Sequence, residues 1–444
     1  MISIAPTVRV VACLTLIDLW SWLFRFYDLG RGLERGILLA VLALFLATIA
    51  RWRYSGPVRL ALRPLQIAVI VAGLAWVVLA VFVTHAVVVS GDLALDQGQD
   101  TYRAAIYLRR GENPYGKGAV LDRMTFADHL AAREAAGAGP KMPQDQVDAT
   151  FEQYWRDLDT QTRTRLVPTD VPPASEAERQ IRLLGYKYGP VPVLLAAPFV
   201  GVMGPATIEI ESALGCLGLF VSLAGLWRAR GFAPELCALG LLAALCEMQI
   251  PWNSIRFTAT DVWPLMFGFG ALWARALGRE RFAGLGMALA ICSKIIPGGL
   301  FVLLLLRDRK PRELIWFGAA VAVLWGPFLL WDARGFVMNN LLWSVYVGQT
   351  RSAWLGFVAP ADALLARVLL GAGALWLAWR ALTCPERRVP LFMALLTMTV
   401  IAAGKIFHNN YVPWFSCWAL WFVLEQAGAD RPLLPPNVDP LAVP

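Results

Sequence analysis

The chain has few charged residues for its length. Asp, Glu, Lys and Arg together make up 16% of its 444 residues, whereas 58% are hydrophobic. This balance excludes an ordinary soluble enzyme and is typical of a polytopic membrane protein. Long runs without charge support that class. The run 65–89 is long enough to cross a hydrocarbon core of about 30 Å as a single helix.

Histidine and cysteine are also scarce, with three and seven residues respectively. The histidines are too scattered to predict a zinc site. The cysteines lie almost entirely in apolar runs and form no C-x-x-C motif, which is typical of small core residues. The sequence has no P-loop and no glycine-rich dinucleotide fingerprint. We therefore expect neither a metal nor a cofactor.

The apolar runs predict an all-α membrane protein with about 11–13 transmembrane helices. The runs lie near 8–26, 36–50, 65–89, 191–204, 212–227, 235–251, 262–277, 282–306, 314–331, 364–379, 389–404 and 411–424. The predicted regions are N-terminal transmembrane helices (1–90), a large extracytoplasmic loop (91–187), a transmembrane helical bundle (188–427) and a cytoplasmic tail (428–444).

The distribution of charge predicts the orientation. Arginine and lysine are concentrated in short loops near 51–63, 279–281, 307–312 and 380–388, and such loops stay in the cytoplasm. The segment 91–185 has the opposite bias, with 15 acidic and 12 basic residues. One helix, 65–89, would deliver that segment to the outer face. The net charge of +8 then reflects inner loops facing anionic lipid rather than a nucleic-acid surface.

Two segments do not fit this topology as full crossings. If 191–204 crossed the membrane, the loop with Arg228 and Arg230 would lie outside, so we expect a partial or re-entrant element there. The run 282–306 has basic loops on both sides. Two short arms that meet near Lys294 and Pro297 would keep both loops inside, and proline makes such a break reasonable.

The outer loop begins with a predicted helix over 101–110. Tyr102, Ala105, Ile106 and Arg109 share one face, which predicts an amphipathic helix lying along the membrane interface. Gly111 stands at the C-cap position. A second helix is predicted over 144–166.

Several short motifs in order resemble the GT-C glycosyltransferases, and most closely glycosyltransferase family 87. They are an acidic residue after an early membrane helix, a Y-x-A-A helix, a G-E-N-P-Y turn, a Y-x-Y-x-P re-entry at 186–190, a polar outer loop at 252–254, and Lys294 before Pro297 in a broken apolar segment. The resemblance spans roughly residues 65–425. Members of the family commonly have the acidic residue soon after the first membrane helix, whereas two extra predicted helices, 8–26 and 36–50, come earlier in this chain.

The resemblance implies a multi-pass enzyme of the bacterial inner membrane with its active site on the periplasmic side. It would move a hexose or pentose, such as mannose, from a polyprenyl-phosphate donor to a lipid or polysaccharide acceptor. The partners would be the lipid-linked sugar donor, a glycan or glycolipid acceptor and membrane lipid. The process would be cell-envelope biosynthesis, with inversion at the sugar and no metal.

Such a transfer needs a carboxylate that takes a proton from the acceptor hydroxyl. Asp96 and Asp100 are the candidates, and they would share a face if the helix reached back to Asp96. Asp100 could instead be the N-cap of the helix, which favours Asp96 slightly as the base. The acid-to-tyrosine spacing of the family fits neither residue cleanly.

The leaving phosphate needs cationic or N–H donors. Lys294 is an ionisable group in the middle of an apolar run, which makes it a functional candidate, although a structural lysine between helices is the alternative. The other candidate phosphate ligands are Lys405, His408 and Arg256. For Arg256, an internal ion pair in a loop that also contains Thr258 and Asp261 is the favoured alternative. Candidate substrate-binding residues are Tyr102, Tyr115, Tyr188, Asn409 and Gln349.

Two other classes of protein remain open from the sequence. A transporter or lipid flippase would have charged residues near the bilayer centre and broken helices in matching halves. A non-catalytic assembly subunit would use the acidic loop only for docking. The single large outer loop and the single convincing broken helix favour the enzyme.

Overall fold

The computed structural model describes residues 2–3, 57–58, 62–90, 96–117, 143, 145–146, 149, 186–247, 249–256, 258, 260–342, 360–403 and 411–427. These residues are helical apart from turns, short connections and one antiparallel pair of two-residue strands, β1 (Ile2–Ser3) and β2 (Pro57–Val58). The predicted helical class is therefore confirmed. The helices predicted at 8–26 and 36–50, most of the helix predicted at 144–166, and the tail 428–444 lie outside the described residues.

The described helices follow one another in a simple order. They are α1 (Leu62–Ser90), α2 (Asp96–Arg109), α3 (Pro114–Lys117), α4 (Pro190–Ala196), α5 (Val200–Met203), α6 (Ala206–Ala229), α7 (Pro234–Cys246), α8 (Gln249–Pro251), α9 (Val262–Ala276), α10 (Glu280–Ser293), α11 (Ile295–Asp308), α12 (Pro311–Phe336), α13 (Pro360–Thr383), α14 (Val389–Ala403) and α15 (Val412–Ala427). Two π-helices (Trp252–Arg256 and Val337–Leu341) and a 3₁₀-helix (Glu386–Arg388) interrupt this series.

Three of the described helical segments are long and apolar enough to cross a membrane. They cover Leu62–Val89, Ala206–Ala229 and Pro311–Leu341. The side chains of Val78 and Phe82 on α1 are 68% and 69% exposed, although both are large and apolar. An extended apolar surface of this kind is typical of contact with lipid or another apolar partner. The length, composition and surface of these helices together indicate a membrane protein.

Glycine allows α6 and α9 to pack closely together. A Cβ atom on Gly218 would lie 2.3 Å from the sulfur of Met266, and one on Gly225 would lie 2.3 Å from the ring of Trp273. Neither distance leaves room for a methyl group. Small residues at helix contacts are typical of membrane bundles, where close backbone approach replaces the hydrophobic driving force.

The predicted break in 282–306 is confirmed. Helix α10 ends at Ser293, Lys294 has an extended backbone, and α11 begins at Ile295. The two arms lie against each other, because a Cβ atom on Gly298 would be 2.4 Å from the carbonyl oxygen of Ala290. The segment is therefore a helical hairpin with Lys294 at its tip.

The two ends of the hairpin that lie away from its tip meet each other, as expected if both basic loops are on the same side of the membrane. Arg275 donates hydrogen bonds to Glu313 at 3.1 Å and to Asp308 at 2.9 Å, and Lys310 lies 3.9 Å from Glu280. These contacts join the first residue of α10 to the region after α11. We call this end of the bundle the basic end and the opposite end, which includes Lys294, the site end.

The segment 191–204 is not a full crossing, which confirms the second expectation. It forms two short helices, α4 and α5, separated by a turn. The loop after α6 consequently reaches the basic end, where Arg230 pairs with Glu386 and Glu425. Arg307 joins the same end, because it donates to the carbonyl oxygen of Cys384 at 2.8 Å.

The helix that covers the apolar run 314–331 extends beyond that run. Helix α12 continues to Phe336 through a kink at Asp332, and a π-helix extends to Leu341. The side chain of Asn339 is completely buried there and donates to the carbonyl oxygen of Tyr115 at 3.0 Å. This tertiary contact gives a polar side chain a buried partner, which the local sequence cannot indicate.

Candidate functional site

The first element of the site is α2, which extends further back than predicted. It begins at Asp96, so Asp100 lies inside the helix and the interpretation of Asp100 as its N-cap is wrong. The predicted C-cap is confirmed: Gly111 has φ +74°. The backbone N–H of Glu112 donates to the carbonyl oxygen of Tyr107 at 2.9 Å, and that of Gly111 to Leu108 at 3.0 Å. This is a Schellman motif.

The buried face of α2 is rotated from the predicted one. Thr101, Ala104 and Ala105 are almost completely buried, whereas Tyr102 is only partly buried and Arg109 is exposed. The helix packs against α4 and α6 through this face of small residues, which decides the rotation. Asp96 and Asp100 are one helical turn apart, as the sequence predicted. The structure describes the backbone of Asp96 but not its side chain.

The segment Tyr186–Gly189 lies at the centre of the site and is fixed at both ends. The backbone N–H of Tyr186 donates to the carbonyl oxygen of Pro114 at 3.1 Å, and that of Gly189 donates to Ser293 at 3.0 Å. A Cβ atom on Gly189 would lie 1.9 Å from the carbonyl oxygen of Cys292. Only glycine allows this segment to approach the tip of the hairpin so closely.

Tyr115 supports this segment from within the core. Its hydroxyl donates to the carbonyl oxygen of Tyr188 at 2.8 Å. Its ring is completely buried and lies 4.8 Å from the ring of Phe336 and 5.3 Å from that of Phe328, between ring centroids. The expectation that Tyr115 stacks on a substrate is therefore wrong for this structure, since the ring has no exposed face. Tyr115 positions Tyr188 instead.

Lys187 brings a positive charge to Asp100. Its Nζ lies 3.4 Å from Oδ2 of Asp100, and the two side chains are 16% and 13% exposed. A carboxylate on α2 and an ammonium on the re-entry segment thus form a nearly buried ion pair. Such a pair orders both groups, since the loss of either would leave the other charge poorly compensated.

Lys294 makes a second ion pair at the tip of the hairpin. Its Nζ lies 2.6 Å from Oδ1 of Asp261, and the side chains are 11% and 3% exposed. Asp261 immediately precedes α9. We expected an ion pair internal to the loop of Arg256, Thr258 and Asp261, but the partner of Asp261 in the described structure is the distant Lys294. The structure describes the backbone of Arg256 but not its side chain.

Aromatic rings surround the ammonium of Lys294. Its Nζ lies 5.1 Å from the ring centroid of Tyr188, 5.4 Å from that of Tyr411 and 5.4 Å from that of Trp414. The quadrupole of each ring attracts a cation at this distance. The rings come from the re-entry segment and from the start of α15. Three separate parts of the chain therefore meet at Lys294.

A hydrogen-bonded link joins α2 to the residue before Asp261. The side-chain oxygen of Gln97 accepts from the backbone N–H of Thr260 at 3.2 Å and from its hydroxyl at 3.1 Å. Gln97 lies less than one turn before Asp100 on α2. Because Thr260 is adjacent to Asp261, the elements that present Asp100 and Lys294 are connected on this side as well as through Tyr186–Gly189.

Burial controls the ionisation of the two tyrosines beneath the site. It raises the pKa of Tyr186 above its ordinary value, and the charges of Asp100 and Glu211 raise it further, while the hydrogen bond with Thr101 at 3.3 Å acts in the opposite direction. Burial likewise raises the pKa of Tyr115, with a contribution from Tyr186. Both phenols therefore stay protonated at neutral pH.

The structure unites part of the predicted set of site residues. Asp100 and Lys294 contact the adjacent residues Lys187 and Tyr188, respectively, and Tyr102 lies on α2 at the edge of the cluster that contains Tyr115 and Tyr186. The predicted ligands that lie outside the described residues are Lys405, His408, Asn409 and Gln349.

Sequence reasoning missed two polar groups of the site, Lys187 and Trp414. Lys187 stands between the two tyrosines of the Y-x-Y-x-P motif, and that motif by itself assigns no role to the lysine. A lysine beside a re-entry motif in a lysine-poor chain was the available signal.

In the part of the chain that the structure describes, no group of three or more His, Cys, Asp or Glu residues could hold a metal ion. Comparison with protein-family models, with curated proteins and with solved structures found no match.

Proposed function

We propose that this chain is an inverting membrane glycosyltransferase of the GT-C type, which takes a sugar from a polyprenyl-phosphate donor on the extracytoplasmic side of the cell membrane. One observation carries the proposal. Two consecutive residues of the re-entry segment contact the proposed base and the proposed phosphate ligand: Lys187 pairs with Asp100, and the ring of Tyr188 lies against Lys294. An acid and a cation thus share one end of an apolar helical bundle.

The proposed reaction assigns one role to each side of the site. Asp100 takes the proton from an acceptor hydroxyl as its oxygen attacks the anomeric carbon of the sugar. The bond between that carbon and the phosphate oxygen breaks, and its electron pair leaves with the polyprenyl phosphate. Lys294 meets the charge of this leaving group. A base contributes about 10²–10⁴-fold to such a step, and a fixed cation stabilises the developing charge in a site with little water.

The location of the site supports a lipid-linked donor. The apolar helix α1 ends at Ser90, and α2 begins only six residues later at Asp96. A polyprenyl chain would hold its phosphate near the same depth, where the apolar surface ends. The basic end lies at the other end of the bundle, which by the positive-inside rule faces the cytoplasm. The site end would then face the extracytoplasmic side.

The decisive assay uses the purified protein in lipid nanodiscs with a panel of radiolabelled polyprenyl-phosphate hexoses and pentoses and a lipid extract as acceptor source. We expect release of polyprenyl phosphate with transfer of label, and no loss of rate with EDTA. Uptake of label into sealed proteoliposomes without chemical turnover would identify a transporter instead.

The substitution Asp100→Asn should lower the rate about 10²–10⁴-fold, because it removes the proton acceptor and keeps the shape of the side chain. Asp308→Asn is the matched control, since Asp308 is also a paired carboxylate but lies at the basic end. Full activity of Asp100→Asn would remove Asp100 from the mechanism. Asp96→Asn should be tested beside it.

A further inference from the structure

The ammonium of Lys294 is already surrounded in the protein. Asp261 lies at 2.6 Å, and the rings of Tyr188, Tyr411 and Trp414 lie within 5.1–5.4 Å. Only 11% of the side chain is exposed. An ammonium has three donors and no acceptor, so a new anion needs a direction that is still open. A phosphate can reach Lys294 closely only by taking the place of one of these neighbours.

Asp261 is the neighbour that resembles a phosphate. Its Oδ1 accepts a hydrogen bond from Lys294 Nζ at 2.6 Å and another from the indole Nε1 of Trp414 at 2.8 Å. One donor from the tip of the hairpin and one from α15 therefore converge on one anionic oxygen. A non-bridging oxygen of a phosphate can accept the same two bonds, and donor bonds to an ionised acceptor are the stronger kind.

We infer that Asp261 occupies the phosphate-binding position of the donor when the site is empty, and that Lys294 and Trp414 are the two groups it shares with the phosphate. The inference rests on the proposed function and names the contacts of its leaving group. Donor binding exchanges one singly charged anion, the carboxylate, for another, the phosphodiester. The charge around Lys294 is unchanged by that exchange.

The position of Asp261 explains how it can leave and return. It immediately precedes α9, and its side chain makes no capping hydrogen bond to that helix. The N-terminus of a helix favours a negative charge, so a displaced carboxylate remains in a favourable field. After transfer, the carboxylate competes with the polyprenyl phosphate product for Lys294 and Trp414. Asp261 thus promotes product release and is a positioning residue rather than a catalytic one.

Binding of farnesyl phosphate to the protein in nanodiscs tests this without any turnover. Asp261→Asn keeps an acceptor for Trp414 but removes the competing charge, and the Kd should fall about tenfold if the open site is about a tenth of the population. Trp414→Phe keeps the ring but removes the N–H, and the Kd should rise about tenfold. Asp308→Asn at the basic end should leave the Kd unchanged.

A weaker or unchanged affinity of a folded Asp261→Asn variant would overturn the inference, since the carboxylate would then only hold Lys294 in place. If that variant does not fold, the Trp414→Phe variant tests the inference. An unchanged Kd of Trp414→Phe would show that the indole N–H does not bind the phosphate and would overturn the inference. The proposed function fails separately: the predicted Kd shifts with no sugar transfer would retain this anion site and reject the enzyme. Sugar transfer without the Kd shifts would retain the enzyme and reject this anion site.

Discussion

The backbone N–H of Gly189 donates to the carbonyl oxygen of Ser293 at 3.0 Å, and this bond holds the re-entry segment against the tip of the hairpin. Gly189 has φ −66° and ψ 164°, which any residue can adopt. Its requirement for glycine is therefore purely steric, because a Cβ atom would lie 1.9 Å from the carbonyl oxygen of Cys292. The contact places Lys187 beside Asp100 and places Tyr188 beside Lys294, which pairs with Asp261.

Gly189→Ala should accordingly separate the two halves of the site. We expect the transfer rate to fall about 10²-fold, the effect of a displacement of about 1 Å at reacting groups, and stability to fall by about 1–3 kcal/mol. Gly299→Ala is the matched control, because a Cβ atom there would meet nothing within 4 Å. Equal activity of the two variants would show that the contact does not align the site.

Lys294→Ala should affect the donor more than the acceptor. The substitution removes the charged partner of the donor phosphate, so we expect the apparent KM for the lipid donor to rise about tenfold or more and that for the acceptor to change little. Steady-state kinetics with each substrate varied in turn measures both constants. An unchanged donor KM in a folded variant would contradict the assignment of Lys294.

The basic end should depend strongly on Arg275. Its guanidinium pairs with Glu313, whose side chain is completely buried. Arg275→Met would leave that carboxylate with only the longer contact to Lys310 at 3.9 Å, so it should lower the free energy of unfolding by about 3 kcal/mol. Lys310→Met is the comparison, because the Lys310 side chain is 37% exposed and its pairs should contribute about 0–1 kcal/mol. Denaturation in detergent measures both, and similar losses for the two variants would contradict the prediction.

The two buried tyrosines predict a loss of stability in alkali. Because the pKa values of Tyr115 and Tyr186 are raised in the folded protein, the folded state holds their protons more tightly than the unfolded state does. Their contribution is therefore complete below a pH of about 10, the ordinary tyrosine value, and is lost as the pH rises above it. Thermal unfolding at pH 8 and pH 11 should show this drop.

The variant with both tyrosines replaced by phenylalanine should show a smaller alkaline drop than the wild type. At pH 8 it should be less stable by about 1 kcal/mol for each lost hydrogen bond, because the Tyr115 hydroxyl donates to Tyr188 and the Tyr186 hydroxyl bonds to Thr101. An identical alkaline drop in both proteins would show that other groups cause it.

The helical class, the hairpin break at Lys294 and the helix end at Gly111 could all be predicted from the sequence alone. These features depend on local composition: apolar runs, a proline with two glycines between basic loops, and a glycine after an amphipathic stretch. Local signals also indicated that 191–204 is not a full crossing, because a full crossing would have moved two arginines to the wrong side. Each of these predictions was confirmed.

The pairing of buried polar residues could not be predicted from the sequence. Asp261 bonds to Lys294 and Trp414, and Lys187 forms an ion pair with Asp100, across long separations in sequence. The same reason explains the errors: tertiary packing extended α2 past the predicted cap at Asp100 and buried Tyr115 beneath Tyr188. Periodicity and charge indicate whether a single segment is buried, exposed or close to the membrane surface. The partner of a buried charge depends instead on which distant segments the packed helices bring within about 3 Å of it.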